Sequence, residues 1–169
     1  MPMPGVTQPE ILPVDDGLRL RRFDGVYDFA LSWYQDEDMV YLVDGMRLAY
    51  DMDRLTRMYT CLDQRGELYF IEAREGEGWR PIGDVTLMRD DMPIVIGDRA
   101  LRGRGVGRRV IRALIRRGRA LGFDSLGVQE IYAFNPASRR CFEGAGFRVC
   151  GETDRGWRLS LSLRDAADD

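Results

Sequence analysis

The sequence predicts one α/β domain built on a mixed, mostly antiparallel sheet of about seven strands with about four flanking helices. Three observations favour this fold class. Short stretches of alternating or β-branched apolar residues recur along the chain, four stretches carry apolar residues at helical spacing, and one strand pattern leads through a glycine-rich loop into such a helix. A length of 169 residues suits a single domain with its own core.

The N-terminal segment differs in composition from the rest of the chain. Residues 1–16 contain four of the seven prolines and show no hydrophobic period. We therefore expect an extended leader over 1–16, a single domain over 17–164 and a short acidic tail over 165–169. The alternation from Leu18 to Phe23 predicts the first strand of the domain.

Two helices are predicted after this strand. The segment from Asp24 to Tyr34 carries apolar residues at helical spacing, and Asp51 can cap a second helix that reaches about Cys61. The stretch between them, residues 35–45, is acidic first and apolar afterwards. It is the part of the sequence that says least about structure.

The remaining elements follow in a regular order. Strands are predicted over Leu68–Ile71, Arg80–Met88 and Met92–Gly97, and these three antiparallel strands lead into the glycine-rich loop. The helix after the loop ends near Gly122. A strand over Leu126–Phe134, a helix over Asn135–Ala145, a strand over Gly146–Glu152 and a closing strand over Trp157–Leu163 complete the domain.

The glycine-rich loop reads Arg102-Gly103-Arg104-Gly105-Val106-Gly107 and is followed by Arg108 and Arg109. Free N–H groups at a helix start, the helix dipole and glycines that allow close approach together predict an anion site. A nucleoside triphosphate loop is excluded because the chain contains no Lys, and a dinucleotide loop is excluded because Val110 stands where the third glycine belongs.

Composition narrows the chemistry. The chain contains no His, so acid–base catalysis has to come from Asp, Glu, Tyr, Cys or water. Its three cysteines, Cys61, Cys141 and Cys150, have no metal-ligand spacing, and we expect reduced thiols and no metal.

Charge and hydropathy bear on partners. Nine arginines lie between Arg99 and Arg119, but the formal net charge of −3 argues against extended nucleic-acid binding. Because the sequence shows neither an apolar run of membrane-spanning length nor a signal peptide, we expect a cytoplasmic protein that does not bind membranes.

Two motifs resemble the GNAT superfamily of acetyl-CoA-dependent N-acetyltransferases. The first is Arg-x-x-Gly-x-Gly at Arg102, Gly105 and Gly107, which is similar to the acyl-CoA pyrophosphate loop of that family. The second is the run from Asn135 to Phe147, NPASRRCFEGAGF, which is similar to the segment that follows the family's fifth strand. Their order, and the order of the predicted elements, extend the resemblance over nearly the whole chain.

Two branches of the superfamily compete for this sequence. Ser138, together with Trp33-x-x-Asp36, resembles the ribosomal-protein N-terminal acetyltransferases. The string from Arg140 to Phe147 resembles the aminoglycoside 6′-acetyltransferases. The acceptor therefore stays open between these two kinds of amine.

The resemblance implies direct transfer of acetyl from acetyl-CoA to a primary amine of a small molecule or peptide N-terminus, within a ternary complex. It implies that the fourth and fifth predicted strands, Met92–Gly97 and Leu126–Phe134, splay apart to admit pantetheine. The backbone N–H of Ile96 or Gly97 would polarise the thioester carbonyl. The loop from Arg102 to Arg108 would hold the pyrophosphate, and Asn135, Ser138 and Phe142 would contact the rest of the cofactor.

The catalytic base is not fixed by the resemblance. Asp91 falls where several family members carry a catalytic Glu, although Asp is also common in turns such as Arg89-Asp90-Asp91. Asp84 and Glu130 are comparable candidates. Each would need burial that raises the pKa of its carboxyl.

One position departs from the family pattern. Many members carry Tyr where this chain has Phe142, and a phenyl ring cannot protonate the departing thiolate. The thiolate would then leave without a proton donor, or take its proton from water, Tyr132 or Cys141. This departure keeps open a second function, a CoA-binding sensor or regulatory module without turnover.

The acidic run offers a weak acceptor site. Asp36 and Asp38, with Asp44 beyond them, could line it and attract a cationic amine, or could form a solvated helix end. The expected partners are acetyl-CoA and an amine, with a homodimer as a further possibility that no residue pattern specifies.

Overall fold

A computed structural model describes residues 5–164, and its architecture confirms the mixed α/β fold class. The first sheet is antiparallel and has the order β1-β2-β3-β4-β5; the second is a three-stranded antiparallel sheet with the order β6-β8-β7. The strands are β1 Ile11–Pro13, β2 Leu18–Arg22, β3 Glu67–Glu75, β4 Gly78–Leu87, β5 Ile94–Ile96, β6 Ser125–Tyr132, β7 Arg148–Glu152 and β8 Gly156–Ser162.

Five α-helices and two 3₁₀ turns connect these strands. The helices are α1 Leu31–Tyr34, α2 Glu37–Asp44, α3 Met52–Arg65, α4 Val106–Ala120 and α5 Pro136–Gly144, and the 3₁₀ turns are Asp28–Ala30 and Arg99–Leu101. None of the helices in the described part of the chain combines the length and the apolar character that a membrane span needs.

Two N-terminal expectations need correction. Residues 11–13 of the expected leader belong to the first sheet, because β1 pairs with β2 and sets Leu12 opposite Leu20. The pairing escaped prediction because β1 is a three-residue edge strand that ends in Pro13, a position where a missing N–H is tolerated. The predicted tail, 165–169, lies outside the described residues.

The helix predicted over Asp24–Tyr34 is also shorter than expected. The side chain of Asp24 accepts a hydrogen bond from the N–H of Val26 at 3.0 Å, and Gly25 has a φ of 82°. This local turn competes with helix formation at its start, so helical backbone begins only at Asp28.

Helix α2, which the sequence did not predict, begins and ends at clear caps. Asp36 accepts from the N–H of Met39 at 3.4 Å at its start, and Gly45 ends it with a left-handed φ of 76°. The acidic stretch is therefore the N-terminal turn of a helix, where carboxylates interact favourably with the helix dipole.

Apolar cores lie on both faces of the first sheet. Helix α4 packs Val110, Ile111 and Leu114 against the strands of both sheets. On the opposite face, helices α1 to α3 pack over a second core that includes Tyr59 and Phe70. Helix α4 is therefore the element that ties the two sheets together.

The two sheets meet along a seam at one end and separate at the other. The N–H of Gly127 donates to the carbonyl of Arg89 at 3.1 Å, and the N–H of Gln129 donates to the side chain of Asp91 at 3.2 Å. Beyond this seam β5 and β6 belong to different sheets. The splay expected between these two strands is confirmed, and it opens a wedge-shaped gap toward the loop.

Candidate active site

A cavity of about 500 Å³ lies between β5, the start of α4 and helix α5, within the range of small-molecule sites. We call it the donor cavity. Its walls combine strand, loop, helix α2 and helix α5, and its main members are Leu42, Val43, Ile94, Val95, Ile96, Arg102, Gly103, Gly105, Val106, Gly107, Arg108, Asn135, Ser138, Arg140 and Cys141.

The loop end of the donor cavity is lined by backbone with the geometry expected of an anion site. Gly103 and Gly105 have φ values of 72° and 80°, a left-handed conformation that side chains disfavour. Gly105 caps α4, and the first helical hydrogen bond runs from the N–H of Arg109 to the carbonyl of Gly105. The N–H groups before Arg109 have no intrahelical acceptor and are available to an anion.

The loop arginines have different roles. Arg102 donates through Nε to the carbonyl of Ile96 at 2.8 Å and lies 3.5 Å from Asp36, so its guanidinium fastens the loop to β5. Arg109 forms a paired contact with Asp15 at 2.6 and 2.7 Å. Arg108 and Arg140 line the donor cavity, whereas Arg104 is exposed and lies outside its walls.

The backbone of β5 distinguishes the two candidates for the thioester contact. The N–H of Gly97 donates to the carbonyl of Ile82 at 2.7 Å, so that group is used in the sheet. Backbone groups two residues apart point the same way in an antiparallel ladder, and the N–H of Ile96 therefore points away from β4, into the gap. The N–H of Ile96 is therefore free to donate to a thioester carbonyl in the gap, whereas the N–H of Gly97 is not.

Gly97 has a packing role instead. A Cβ at this position would stand 2.2 Å from the indole ring of Trp33. The Trp33-x-x-Asp36 motif thus joins the α1–α2 region to the end of β5 twice, once through this ring and once through the ion pairs of Asp36 with Arg99 and Arg102.

A smaller cavity of about 170 Å³ adjoins the donor cavity toward the seam. We call it the acceptor cavity. It shares Leu42, Val43, Ile94, Val95, Asn135 and Ser138 with the donor cavity, and it adds Asp91, Glu130, Tyr132 and Phe142. The two spaces therefore form one path from the anion site to a pair of carboxylates.

Asp91 lies at the seam end of this path. Its Oδ1 accepts from the N–H of Met92 at 3.0 Å and from the N–H of Gln129 at 3.2 Å. Burial raises the pKa of the Asp91 carboxyl, and these two hydrogen bonds offset part of that effect. The side chain thus has a fixed orientation and a raised proton affinity, as a general base requires.

Glu130 is the second carboxylate on this path. It lies in a register irregularity of β6, between Val128 and Ile131, where the exposed side chains of Gln129 and Glu130 follow one another. Its carboxylate accepts from the hydroxyl of Thr153 in the turn between β7 and β8.

Asp84, the third candidate base, is removed from the path. It is 2% exposed and accepts from the hydroxyls of Tyr34 at 2.6 Å and Tyr59 at 2.8 Å. Burial raises the pKa of Asp84 to about 6. Its side chain faces the core under helices α1 to α3 and lines neither cavity, so the structure does not bring Asp84 together with Asp91 and Glu130.

Phe142 and Cys141 lie on the α5 wall. Phe142 is 2% exposed, packs edge-on against Phe147 at 5.2 Å between ring centroids, and lines the acceptor cavity. Cys141 lies in the donor cavity beside the start of α4, and burial raises the pKa of its thiol. Tyr132 is the hydroxyl-bearing ring nearest to this region of the path, and burial raises the pKa of its phenol.

The acidic run is neutralised by arginines. Arg99 holds the pKa of Asp36 at about 2, well below its usual range. Asp38 pairs with Arg47, and Asp44 accepts from Tyr50 and lies 3.3 Å from Arg54. These carboxylates stabilise helix α2 and its surroundings, and they line neither cavity. Of the two expectations for this run, a wall of the acceptor site or a helix end, the positions of these side chains agree with the helix end.

Sequence reasoning missed helix α2 as a wall of both cavities. Leu42 and Val43 line the donor and the acceptor cavity, and the Asn135 side chain donates to the carbonyl of Leu42 at 3.2 Å. The apolar residues after the acidic run, with Gly45 as a stop, were the signal available in the sequence. Within residues 5–164, no group of three or more His, Cys, Asp or Glu side chains is placed to hold a metal ion.

Two antiparallel sheets that separate beside the N-terminus of a helix are the arrangement that the resemblance to acyl-group transferases implies. The family model described as the acetyltransferase (GNAT) family matches residues 27–147. The chain belongs to this family. No curated protein sequence matches the chain significantly.

Solved structures of low sequence identity share the fold. Spermidine N-acetyltransferase from Vibrio cholerae, in complex with CoA and spermine, has a TM-score of 0.71 at 17% identity, over 88% of this chain and 97% of that chain. AAC(6')-Ib in complex with paromomycin and acetyl-CoA has a TM-score of 0.73 at 16% identity, over 91% and 100%. A GNAT-family acetyltransferase from Bacillus anthracis has a TM-score of 0.72 at 12% identity, over 92% and 99%.

Proposed function

We propose that this acetyltransferase moves an acetyl group from acetyl-CoA to a primary amine of a small molecule or peptide N-terminus, by direct attack in a ternary complex. The observation that carries the proposal is the continuous path from the α4 anion site, past the N–H of Ile96, to the Asp91 carboxyl. The solved relatives in complex with CoA and spermine, or with acetyl-CoA and an aminoglycoside, support this donor and an amine acceptor.

The donor cavity fits the parts of acetyl-CoA. The free N–H groups at the start of α4 and the guanidinium groups of Arg108 and Arg140 suit a pyrophosphate. The open backbone edge of β5 suits the amide groups of pantetheine. When bound, acetyl-CoA supplies an acyl group activated as a thioester.

Ile96 and Asp91 perform the two tasks that the transfer requires. The N–H of Ile96 donates to the carbonyl oxygen on which negative charge develops during attack. The acceptor amine is mostly protonated at neutral pH, and Asp91 takes its proton, directly or through water. Glu130 is the alternative base, at the more exposed side of the same cavity.

The last proton transfer has no phenol at position 142. The ring of Phe142 excludes water from the thiolate side of the cavity and donates nothing. Water or the Cys141 thiol supplies the proton that the departing thiolate takes up; the hydroxyl of Tyr132 could do so only after leaving the carbonyl of Asp44, to which it donates.

Thiol release from acetyl-CoA tests the proposal. Spermine, kanamycin and a dipeptide with a free N-terminus are offered as acceptors, and the product is identified by its added acetyl mass. Release with at least one of these amines is expected. Binding of acetyl-CoA without thiol release in the presence of any of these amines would instead favour the second function, a CoA-binding sensor, which the absence of Tyr at position 142 leaves open.

A further inference from the structure

Helix α2 covers the acceptor cavity, and its C-terminal end is held by side chains from the other sheet. The last carbonyls of a helix lack intrahelical partners. Here the carbonyl of Asp44 accepts from the hydroxyl of Tyr132 at 3.3 Å, and the carbonyl of Gly45 accepts from Nη2 of Arg155 at 3.1 Å. Both donors come from the β6 and β8 side of the gap.

A stack of rings strengthens the same contact. The ring centroids of Tyr41, in α2, and Phe134 are 4.3 Å apart, with an interplanar angle of 17°. The ring centroids of Phe134 and Tyr132 are 4.9 Å apart, with an interplanar angle of 10°. The Arg155 guanidinium lies 4.9 Å from the centre of the Tyr132 ring. Stacked rings and cation–π contacts of this kind each add to what buried area contributes.

Gly45 is fitted to Arg155. Its φ of 76° suits glycine, and a Cβ at this position would stand 2.5 Å from Nη1 of Arg155. The guanidinium therefore lies directly on the backbone at the end of α2. Arg155 touches the helix end, the carbonyl of Gly45 and two rings, and it lines neither cavity.

The space under the helix is narrow. At about 170 Å³ the acceptor cavity is smaller than the sites that enclose whole drug-sized molecules. Leu42 and Val43 form its covered side, and Phe142 and Ile94 are also in its wall. A cavity of this size holds the amine and the first few carbon atoms of an acceptor beside Asp91, and the rest of a larger acceptor has to extend beyond it.

We propose that Arg155 is a positioning residue that holds α2 as a roof over the acceptor cavity, and that this roof selects amines carried on an unbranched carbon chain. A ring or branch next to the amine would meet Leu42 and Val43. The inference rests on the proposed function and adds the substrate class to it.

Two amines of equal carbon number and charge test the selectivity. Wild-type protein is expected to acetylate n-hexylamine with a kcat/KM roughly tenfold above that for cyclohexylamine. Arg155→Ala should bring the ratio close to one, because the roof is released. Arg148→Ala removes an exposed arginine from β7 of the same hairpin and should keep the wild-type ratio.

Backbone amide exchange of the ligand-free protein tests the roof without turnover. Arg155→Ala should speed exchange in α2 about tenfold, while α3 and the Arg148→Ala protein stay at wild-type rates. Unchanged exchange in α2 would overturn the inference. So would turnover with an unchanged amine ratio, which leaves the proposed function intact. No turnover of any amine would overturn the proposed function and the substrate class together.

Discussion

At the loop end of the gap, Gly103, Gly105 and the start of α4 present backbone N–H groups to the donor cavity. At the seam end, the walls are side chains, Asp91 and Glu130 among them, beneath a helix held by distant partners. Backbone donors recognise any ligand with a phosphate in the right place. Side-chain walls such as those at the seam end recognise the shape of a particular ligand. The contrast explains why one end can be read as a donor site common to a family, while the other has to be tested acceptor by acceptor.

The largest expected effect breaks the donor end alone. Gly105→Glu adds a carboxylate where the pyrophosphate would lie, and we expect acetyl-CoA binding to weaken on the order of 100-fold or more. Isothermal titration with acetyl-CoA measures this loss.

Gly122→Glu is the matched control. Gly122 also has a left-handed φ, 79°, and open space at its Cβ, but it lies beyond the other end of α4. Both variants carry similar backbone strain, of about 1–2 kcal/mol. Equal binding losses in the two proteins would show that strain, and not the anion site, causes the effect.

The second prediction breaks the acceptor end alone. Asp91→Asn keeps an Oδ1 acceptor for the N–H groups of Met92 and Gln129, but it takes up no proton. We expect kcat to fall roughly 100-fold with acetyl-CoA affinity unchanged.

The pH profile identifies the base. Because the pKa of Asp91 is raised, wild-type kcat/KM should fall as pH drops through that raised value, and the fall should vanish in Asp91→Asn. If Asp91→Asn keeps the wild-type profile and Glu130→Gln loses it, Glu130 is the base.

A third prediction concerns the carboxyl that the path excludes. The folded-state pKa of Asp84 is about 6 against 3.8 for the ordinary group, so the folded state holds this proton more tightly than the unfolded chain. Its contribution to stability is complete below pH 3.8 and is lost as pH rises through about 6, by roughly 3 kcal/mol.

Urea unfolding of Asp84→Asn tests this. The variant should lack the decline of unfolding free energy between about pH 4 and pH 7, and the pH profile of its turnover should keep the wild-type shape. A shifted pH profile of turnover would make Asp84 a candidate base again, and would contradict its assignment to the core and not to the path between the cavities.

The smallest expected effect lies where the two ends join. Asn135 caps α5 by accepting from the N–H of Ser138 at 3.3 Å, and it also donates to the carbonyl of Leu42 in α2. Asn135→Ala should lower the unfolding free energy by about 1–2 kcal/mol and raise the KM for the amine several-fold.

Asp51→Ala is the comparison, because Asp51 caps α3 through the N–H of Arg54 at 2.8 Å, at a distance from both cavities. Asp51→Ala should lower the unfolding free energy by a similar amount and leave the KM for the amine unchanged. Chemical denaturation and steady-state kinetics on the two proteins show whether Asn135 acts only as the cap of α5 or also positions α2 through the carbonyl of Leu42.

The donor end could be predicted because its signals are local. The glycine spacing, the apolar face of α4 and the Asn135-Pro136 cap each lie within a few residues of the structure they specify. The absence of His limited the possible bases to Asp, Glu, Tyr, Cys or water. The resemblance to the family then indicated Asp91, with Asp84 and Glu130 as rivals.

The acceptor end could not be predicted because its contacts join distant parts of the chain. Arg155 and Gly45 are 110 residues apart, Asn135 and Leu42 are 93 apart, and Asp36 and Arg99 are 63 apart. A run of carboxylates looks the same in sequence whether arginines neutralise it or a substrate does. Only the structure shows that arginines from distant parts of the chain pair with these carboxylates, and that the run is the first turn of helix α2.

The indole of Trp33 occupies the volume that a side chain on residue 97 would need. Positions 33 and 97 are therefore sterically coupled: a residue larger than glycine at 97 would require the indole to move or a smaller side chain at 33. This interlock fixes the height of α1 above the end of β5. We therefore expect that side chains in the roof and the seam can be exchanged without changing the position of α1, because this contact lies outside both cavities.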